Sequence, residues 1–419
     1  MQKVKIIGGA MTRFGRHMDR NLKSLAAEAV DGALEDSGLT KEQIGCVWVG
    51  NASQGVLSGQ ESVRGQVVMR AMGIGGVPVF NVENACASSA TAFYGARNVV
   101  ALGECEVALV LGMEKMFFTD RSKALAAFEG CTDVELLPQL IADFDAQEEK
   151  LRQKRETRGE TDVEKSGQRS IFMDIYANWA REHMEKYGTT QRQLACIASK
   201  NHWHSSMNPL AQYQKTFSTD EVLASPEVAY PLTRLMCSPI GDGAAALIVC
   251  SAEFARKRGI RKAAEVAACV VGSGEDPEVA EKLGSSTLDR LAQKAYEMAG
   301  IGPEDVSLAE VHDATSYGEL HVIENLGFCP SGEGGPFSEQ GHTKLGGAIP
   351  VNASGGLESQ GHPIGATGVR QIYELYAHLT GDRRVRQRQV RDALVGLAEN
   401  GGGMVNSTEG AIVLTILKR

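Results

Sequence analysis

The chain has 419 residues, of which 43% are hydrophobic and 23% are charged. This composition is ordinary for a globular protein, and the length predicts two or three structural units. The formal net charge of −9 argues against nucleic acid as a partner. No apolar run approaches the roughly 18 residues that cross a bilayer, and the N-terminal apolar stretch is too short for a signal peptide. We therefore expect no membrane partner.

The nine cysteines are scattered along the chain without a CxxC pair. An odd number of cysteines with free spacing is typical of a reducing compartment, so the expected location is the cytoplasm. His202 and His204 stand two residues apart, a poor spacing for metal ligands on a helix. The sequence therefore indicates no metal site.

The chain repeats itself in three places, which indicates an internal duplication. Each pair shares the same order of glycines, turns and apolar strands. The pairs are 34–51 with 296–313, 106–114 with 392–400, and 243–250 with 410–417. Helices that alternate with continuous apolar strands predict two homologous α/β halves whose strands are buried on both faces.

The predicted first half covers residues 1–115 and 231–265, and the second covers 266–419. An inserted loop domain, residues 116–230, separates the two parts of the first half. It contains a mixed charge run at 147–169, which we interpret as a solvated helix or loop, with a lid or cofactor-docking segment as the alternative. The part that follows has helical periodicity and is predicted to pack over the site or a partner.

Cys86 lies where a predicted strand meets a predicted helix. The run VPVFNVE is typical of a strand, and SSATAFYGARNVVALG is typical of an amphipathic helix that ends at Gly103. A helix N-terminus offers free N–H groups and a partial positive charge, which lower the pKa of a thiol and favour the reactive thiolate. Cys86 is therefore a candidate nucleophile, although a lone cysteine at such a turn is more often inert.

His362 lies at the equivalent helix start in the second half. A glycine-rich turn leads into a helix that ends at Gly381, and aligning this glycine with Gly103 puts Cys86 opposite a position two residues after His362. Helix N-termini gather at one edge of a doubly wound sheet, so two related halves can bring the residues together. An imidazole that takes the thiol proton is what thiol activation requires. We predict that Cys86 and His362 share one cavity.

Four motifs resemble those of the thiolase superfamily. Residues 84–89 (NACASS) match its nucleophile loop, and residues 361–368 (GHPIGATG) match its long and specific GHP loop. Residues 237–244 (CSPIGDGA) resemble the segment that ends the first half in this family. Residues 311–314 (VHDA) resemble the His-Asp-Cys-Phe loop of the sterol-carrier-protein type. The resemblance covers nearly the whole chain and indicates that branch.

The resemblance implies a thiolase fold, with two duplicated βαβαβαββ halves in a five-layered αβαβα arrangement and an inserted loop domain. It implies an acyl-CoA C-acyltransferase in which Cys86 is acylated, His362 activates it, and His312 lines an oxyanion hole. The Cys86 N–H and a glycine of the 401–403 loop would hold the acyl oxygen; the candidates are Gly401, Gly402 and Gly403. The resemblance also implies no tightly bound cofactor, coenzyme A as a substrate, and a homodimer.

The chain departs from the family at the second cysteine, which acts as the acid/base for the carbon acid. Ala314 stands where the sterol-carrier-protein type carries this cysteine, and the C-terminal loop 397–403 (LAENGGG) has none either. Tyr317, Glu319 and Glu399 are candidates for the role, since burial can tune the pKa of a carboxyl or a phenol.

Thiolases with such an altered C-terminal loop often work with a small partner that has a zinc ribbon and an OB-fold, so the resemblance implies a heteromeric complex. Among these systems, the chain is similar to thiolases that cleave 2-benzoylsuccinyl-CoA to benzoyl-CoA and succinyl-CoA during the anaerobic degradation of toluene, an aromatic compound. Two alternatives stay open. One is a retro-aldolase acting on a β-hydroxy acyl-CoA, and the other is a non-catalytic acyl-CoA-binding subunit. The intact Cys86 argues against the first, and the intact Cys86, His312 and His362 argue against the second.

Overall fold

The computed structural model describes residues 2–120, 122–157, 170–406 and 408–419. The strands are β1 (Val4–Met11), β2 (Cys46–Gly50), β3 (Val79–Val82), β4 (Val107–Glu114), β5 (Glu227–Ala229), β6 (Leu232–Thr233), β7 (Gly243–Ser251), β8 (Ala264–Gly272), β9 (Leu308–Glu310), β10 (Val395–Val405) and β11 (Thr408–Lys418). The helices are α1 (Leu22–Ser37), α2 (Gln54–Ser58), α3 (Arg64–Ala71), α4 (Ser88–Leu102), α5 (Ser122–Glu129), α6 (Leu137–Thr157), α7 (Ile171–Tyr187), α8 (Gln191–Ser206), α9 (Thr219–Leu223), α10 (Ala252–Lys257), α11 (Pro277–Leu283), α12 (Thr287–Ala299), α13 (Ser316–Asn325), α14 (Gly334–Glu339) and α15 (Thr367–Thr380).

A nine-stranded sheet shows the duplication directly. Its strand order is β3-β2-β4-β7-β1-β8-β11-β10-β9. Counted outward from the centre, β1, β7, β4 and β2 of the first half correspond to β8, β11, β10 and β9 of the second. β1 and β8 form the central pair and run antiparallel. The third strand of the second half is reduced to one bridge, between Ala309 and Val351. β8 starts at Ala264, two residues before the predicted boundary between the halves.

Helices α4 and α15 form the middle of five layers, because each packs against strands and the two contact each other. Both have apolar residues at helical spacing, which buries one face of each helix in a core shared by both halves. These residues are Phe93, Ala96 and Val100 on α4, and Ile372, Tyr376 and Leu379 on α15. Helix α1 covers the outer face of the first half, and α12 and α13 cover that of the second. The expected αβαβα arrangement is thus present.

The insertion after β4 is mostly helical and packs on the second half. Helices α7 and α8 share an apolar core with Ala314, Tyr317 and Leu320. The predicted charge run begins in α6, which ends at Thr157, while residues 158–169 lie outside the described residues. Within the described ranges, the helices are too short or too polar to cross a membrane.

A buried ion pair between Arg370 on α15 and Glu310 at the end of β9 generates a stability prediction. Arg370 Nη1 lies 2.6 Å from Glu310 Oε2, and both side chains are fully buried. We expect Arg370→Met to lower the free energy of unfolding by about 3–5 kcal/mol, because a buried carboxylate loses its cation. As a control, Arg192→Met breaks an exposed pair with Asp220 and should cost about 1 kcal/mol or less. Urea unfolding measures both, and equal losses would contradict the prediction.

Candidate active site

Cys86 lies in a 3₁₀ turn, Ala85–Ala87, between β3 and α4. Ala85 has a φ of 47°, a left-handed conformation that residues other than glycine rarely adopt. The chain therefore bends sharply just before the nucleophile. The Ser88 hydroxyl holds this bend, since it accepts from the Asn84 N–H at 2.9 Å and donates to the Ala85 carbonyl at 2.6 Å. The strand–helix junction that the sequence predicts is present.

The imidazole of His362 meets the thiol of Cys86. Its Nε2 lies 3.1 Å from the Cys86 Sγ. Its Nδ1 lies 2.8 Å from the Thr367 hydroxyl, which itself donates to the Pro363 carbonyl. The hydroxyl must therefore accept from Nδ1–H, which leaves Nε2 without a proton and facing the thiol. The two residues share one cavity, and the arrangement can move the thiol proton to the imidazole.

Burial controls the protonation of this pair. Burial raises the pKa of the Cys86 thiol well above its ordinary value, although the N–H groups of Gly403 and Cys86 hydrogen bond to the sulfur and oppose the rise. Burial likewise holds the pKa of His362 well below its usual range. The expectation of a lowered thiol pKa is wrong, because desolvation outweighs the N–H donors at the helix start. The resting pair is a neutral thiol that donates to a neutral imidazole.

His312 adds a second imidazole to the site. Its ring lies edge to face with that of His362, with centroids 5.3 Å apart. The Asn400 amide donates to His312 Nδ1 at 3.0 Å, so the ring proton is on Nε2. Burial lowers the pKa of His312 to about 3, so this ring is also neutral. One ligand atom each of Cys86, His312 and His362 lies within 4.8 Å of the others.

The predicted glycine loop packs against the nucleophile turn. A Cβ at Gly402 would lie 2.3 Å from the Asn84 carbonyl oxygen and 2.5 Å from the Ala87 nitrogen, so only glycine fits there. Gly403 has a φ of 66°, and its N–H hydrogen bonds to the Cys86 sulfur. Gly401, Gly402 and Gly403 all line the cavity. The loop thus places a backbone donor beside the sulfur.

Glu399 is the acid/base candidate nearest to this cluster. Its Oε2 accepts from the backbone N–H of His312 at 2.9 Å. Its Oε1 would lie 3.7 Å from a Cβ at Gly401, a residue of the cavity wall, while the Glu399 side chain itself is buried behind that wall. Burial raises the pKa of Glu399 to about 8, opposed by the His312 N–H and assisted by the neighbouring Glu409. The carboxyl is therefore mostly protonated at neutral pH.

Tyr317 and Glu319 lie elsewhere. Glu319 is ion-paired with the buried Lys200. Tyr317 packs against the rings of His183 and His321. Neither residue is part of the cavity wall, so the structure does not bring them to the thiol.

A cavity of about 350 Å³ opens at Cys86, and its wall is mostly apolar. The insertion supplies much of this wall, with Phe128, Cys131, Phe172, Met173 and Tyr176. Helix α7 carries the last three, as the helical periodicity of this segment predicted. Sequence reasoning missed Cys131, Arg234 and Glu409, which also line the cavity, because each lies outside every recognisable motif.

The chain is similar to known proteins along nearly its whole length. Residues 4–253 match the thiolase N-terminal domain, and residues 276–415 match the thiolase C-terminal domain-like family. An acetyl-CoA acetyltransferase of Methanothermobacter thermautotrophicus is 36% identical over 96% of this chain and 97% of its own length. Sterol carrier protein 2 of Bos taurus is 35% identical over 99% of this chain and 72% of its own length. The benzoylsuccinyl-CoA thiolase subunit BbsB of Thauera aromatica is 34% identical over 88% of this chain and 87% of its own length.

Solved structures share the fold. An Ltp2-ChsH2(DUF35) aldolase superposes with a TM-score of 0.74 at 24% identity, over 99% of this chain and 97% of that chain. The similarity at this identity concerns the fold alone. The two family matches together span both halves and the insertion, and the relatives at 34–36% identity include enzymes that transfer acyl groups. The chain therefore belongs to the thiolase family and is an acyltransferase.

Proposed function

We propose that the chain cleaves a 3-oxoacyl-CoA with coenzyme A through an acyl group carried on Cys86. The observation that supports this most directly is the 3.1 Å contact between the Cys86 thiol and the unprotonated nitrogen of His362. As the sulfur attacks the 3-oxo carbon, its proton passes to His362 Nε2. The C2–C3 bond then breaks, and the carbanion at C2 takes a proton from an acid in the cavity.

The second half of the reaction returns every proton. The thiol of coenzyme A gives its proton to the base left by the first step, and its sulfur attacks the acyl carbon. The Cys86 sulfur leaves and regains its proton from His362. The N–H groups of Cys86 and Gly403, and Nε2–H of His312, are the proposed donors to the oxygens that carry negative charge. Removing one such donor typically costs about 100- to 1000-fold in rate.

Glu399 is the proposed acid for the C2 carbanion. A pKa of about 8 lets this carboxyl hold a proton at neutral pH and still release it to a carbanion. Its position directly behind Gly401 puts it beside the cavity and next to His312. We propose it over Tyr317 and Glu319 because its carboxyl lies beside His312 and Gly401, two residues of the cavity wall.

The proposed substrate is 2-benzoylsuccinyl-CoA, which would give benzoyl-CoA and succinyl-CoA. The relative named benzoylsuccinyl-CoA thiolase subunit BbsB supports this choice. Phe128, Phe172 and Tyr176 in the cavity wall suit a benzoyl ring, since aromatic side chains pack well on one another. Arg234 in the same wall suits the free carboxylate of the succinyl part. The chain would then serve in the degradation of an aromatic compound.

A covalent adduct on Cys86 tests the proposed function. We expect 2-benzoylsuccinyl-CoA to leave a benzoyl group on Cys86, detected by peptide mass spectrometry, and Cys86→Ala to lower turnover by about 10⁴-fold or more. Cys131→Ser changes another thiol in the cavity and is the control that keeps the adduct. Full turnover by Cys86→Ala would refute the proposal. Cleavage of a β-hydroxy acyl-CoA by Cys86→Ser would indicate a retro-aldolase, and coenzyme A binding without turnover would indicate a binding subunit.

Replacing Glu399 tests its role separately. We expect Glu399→Gln to lower kcat by about 10²- to 10⁴-fold, because the C2 carbanion loses its acid. Alkylation of Cys86 by iodoacetamide should keep its rate, since the Cys86–His362 pair is intact. Tyr317→Phe removes a hydroxyl that lies outside the cavity and should keep full turnover. Loss of activity in Tyr317→Phe with full activity in Glu399→Gln would reverse the assignment.

The chain is proposed to act as a homodimer. Strand β3 is an edge of the nine-stranded sheet, and its Phe80 is 41% exposed and stacks on Trp48. Exposed edge strands with apolar side chains favour pairing with another chain. The aldolase named as the pair Ltp2-ChsH2(DUF35) supports a second protein component, which we propose is a small zinc-ribbon/OB-fold protein. All nine cysteines are unpaired, which supports a cytoplasmic location.

Light scattering tests this assembly. The chain expressed alone should have the mass of a dimer, and Phe80→Asp should convert it to a monomer, because a charge at the edge strand opposes pairing. Co-expression with a zinc-ribbon/OB-fold protein should give a larger complex that purifies as one species. A monomeric unmodified chain, or a partner that never co-purifies, would contradict the corresponding proposal.

A further inference from the structure

We propose that Cys86, His312 and His362 form a binding site for Zn²⁺, and that the metal reversibly blocks the nucleophile. The three residues come from separate segments, yet one ligand atom of each lies within 4.8 Å of the others. Cys86 Sγ and His362 Nε2 already lie 3.1 Å apart, and the two imidazole rings converge with centroids 5.3 Å apart. One sulfur and two imidazoles suit Zn²⁺, whereas Mg²⁺ and Ca²⁺ prefer oxygen ligands.

The distances fit a tetrahedral zinc ion after a small adjustment. Zinc bonds measure about 2.3 Å to sulfur and about 2.0–2.1 Å to nitrogen, so tetrahedral ligand atoms stand roughly 3.3–3.6 Å apart. The Cys86–His362 contact would open by a few tenths of an ångström, and the His312 ring would move inward by about 1 Å. Such a movement is within the reach of a side-chain rotation.

Both imidazoles have a neighbour that can fix the ligating form of the ring. The Thr367 hydroxyl already accepts from His362 Nδ1–H and keeps Nε2 free. The Asn400 Oδ1 is buried and has no hydrogen-bond partner among the described residues. Rotating the Asn400 side-chain amide by about 180° would place Oδ1 against His312 Nδ1. The ring proton would then sit on Nδ1, and Nε2 would be free to bind the metal. Zinc-binding histidines commonly donate their second N–H to such a partner.

Binding would stop the reaction without any redox change. The thiol proton leaves to solvent, the Cys86 sulfur and both Nε2 lone pairs bind the metal, and zinc stays divalent. The sulfur then no longer attacks a carbonyl, and His362 no longer accepts a proton. The cavity leaves the fourth position open to water or to the thiol of coenzyme A.

Cobalt provides the test, because Co²⁺ occupies zinc sites and shows a thiolate charge-transfer band in the near ultraviolet. We expect the reduced, metal-free full chain to bind one Co²⁺ with this band, and Zn²⁺ to displace it. Zn²⁺ should also protect Cys86 from iodoacetamide. Cys86→Ser should abolish the band, and Thr367→Val should weaken Zn²⁺ binding by about 10- to 100-fold through the loss of ring orientation. Cys131→Ser, the matched control in the same cavity, should keep the band.

Three results would overturn the proposal: a band that survives Cys86→Ser, a band that Cys131→Ser removes, or no stoichiometric binding of either metal. Should Cys86→Ser fail to fold by circular dichroism, His312→Asn serves instead, and it should weaken binding while the thiol stays in place. The readout is metal binding, so it holds whether or not the chain cleaves 2-benzoylsuccinyl-CoA.

Discussion

The close approach of α4 and α15 at their N-terminal ends is the contact on which the site depends. The Ser89 hydroxyl on α4 accepts from the Val369 N–H on α15 at 3.0 Å. A Cβ at Gly368 would lie 2.6 Å from the α4 backbone, so no larger residue fits between the helix starts. Cys86 and His362 stand on the turns just before these helices. A shift of about 1 Å would lengthen their contact beyond hydrogen-bonding distance and remove the path for the thiol proton.

A buried carboxyl fixes the same geometry from the sheet side. Glu114, the last residue of β4, accepts from the Gly365 N–H of the second half and from the Ala52 N–H of the first, both at 3.0 Å. Burial raises its pKa to about 7, and the backbone donors oppose that rise. The end of β4 thus fixes the position of one loop from each half relative to the other. The duplicated halves therefore share hydrogen bonds at the site as well as an apolar core.

The two halves and the Cys86–His362 pair could be predicted because the repeated sequences place both residues at equivalent helix starts. In a duplicated fold, a pseudo-twofold axis brings these helix starts together. The pKa of the Cys86 thiol could not be predicted. The helix N-terminus that lowers it is visible in the local sequence, whereas the desolvation that raises it depends on how the distant insertion packs over Cys86. The same limit applied to the acid/base candidates. Glu319 and Glu399 are both carboxyls near a motif, but Glu319 is ion-paired with the buried Lys200, whereas Glu399 lies beside His312 and Gly401 of the cavity wall.

Desolvation keeps the titratable groups of the candidate site in their neutral forms. Burial disfavours every charged form, so the thiol of Cys86 and the carboxyl of Glu399 keep their protons while the two imidazoles stay neutral. Each proton thus rests where the proposed cleavage needs it, and His362 offers the lone pair that accepts the first. Charge then develops only as the acyl-CoA reacts, next to backbone N–H donors that are already oriented. In the same surroundings, the proposed zinc ion would be stabilised by direct bonds to the Cys86 thiolate and the two imidazoles, which would offset the cost of removing the ion from water.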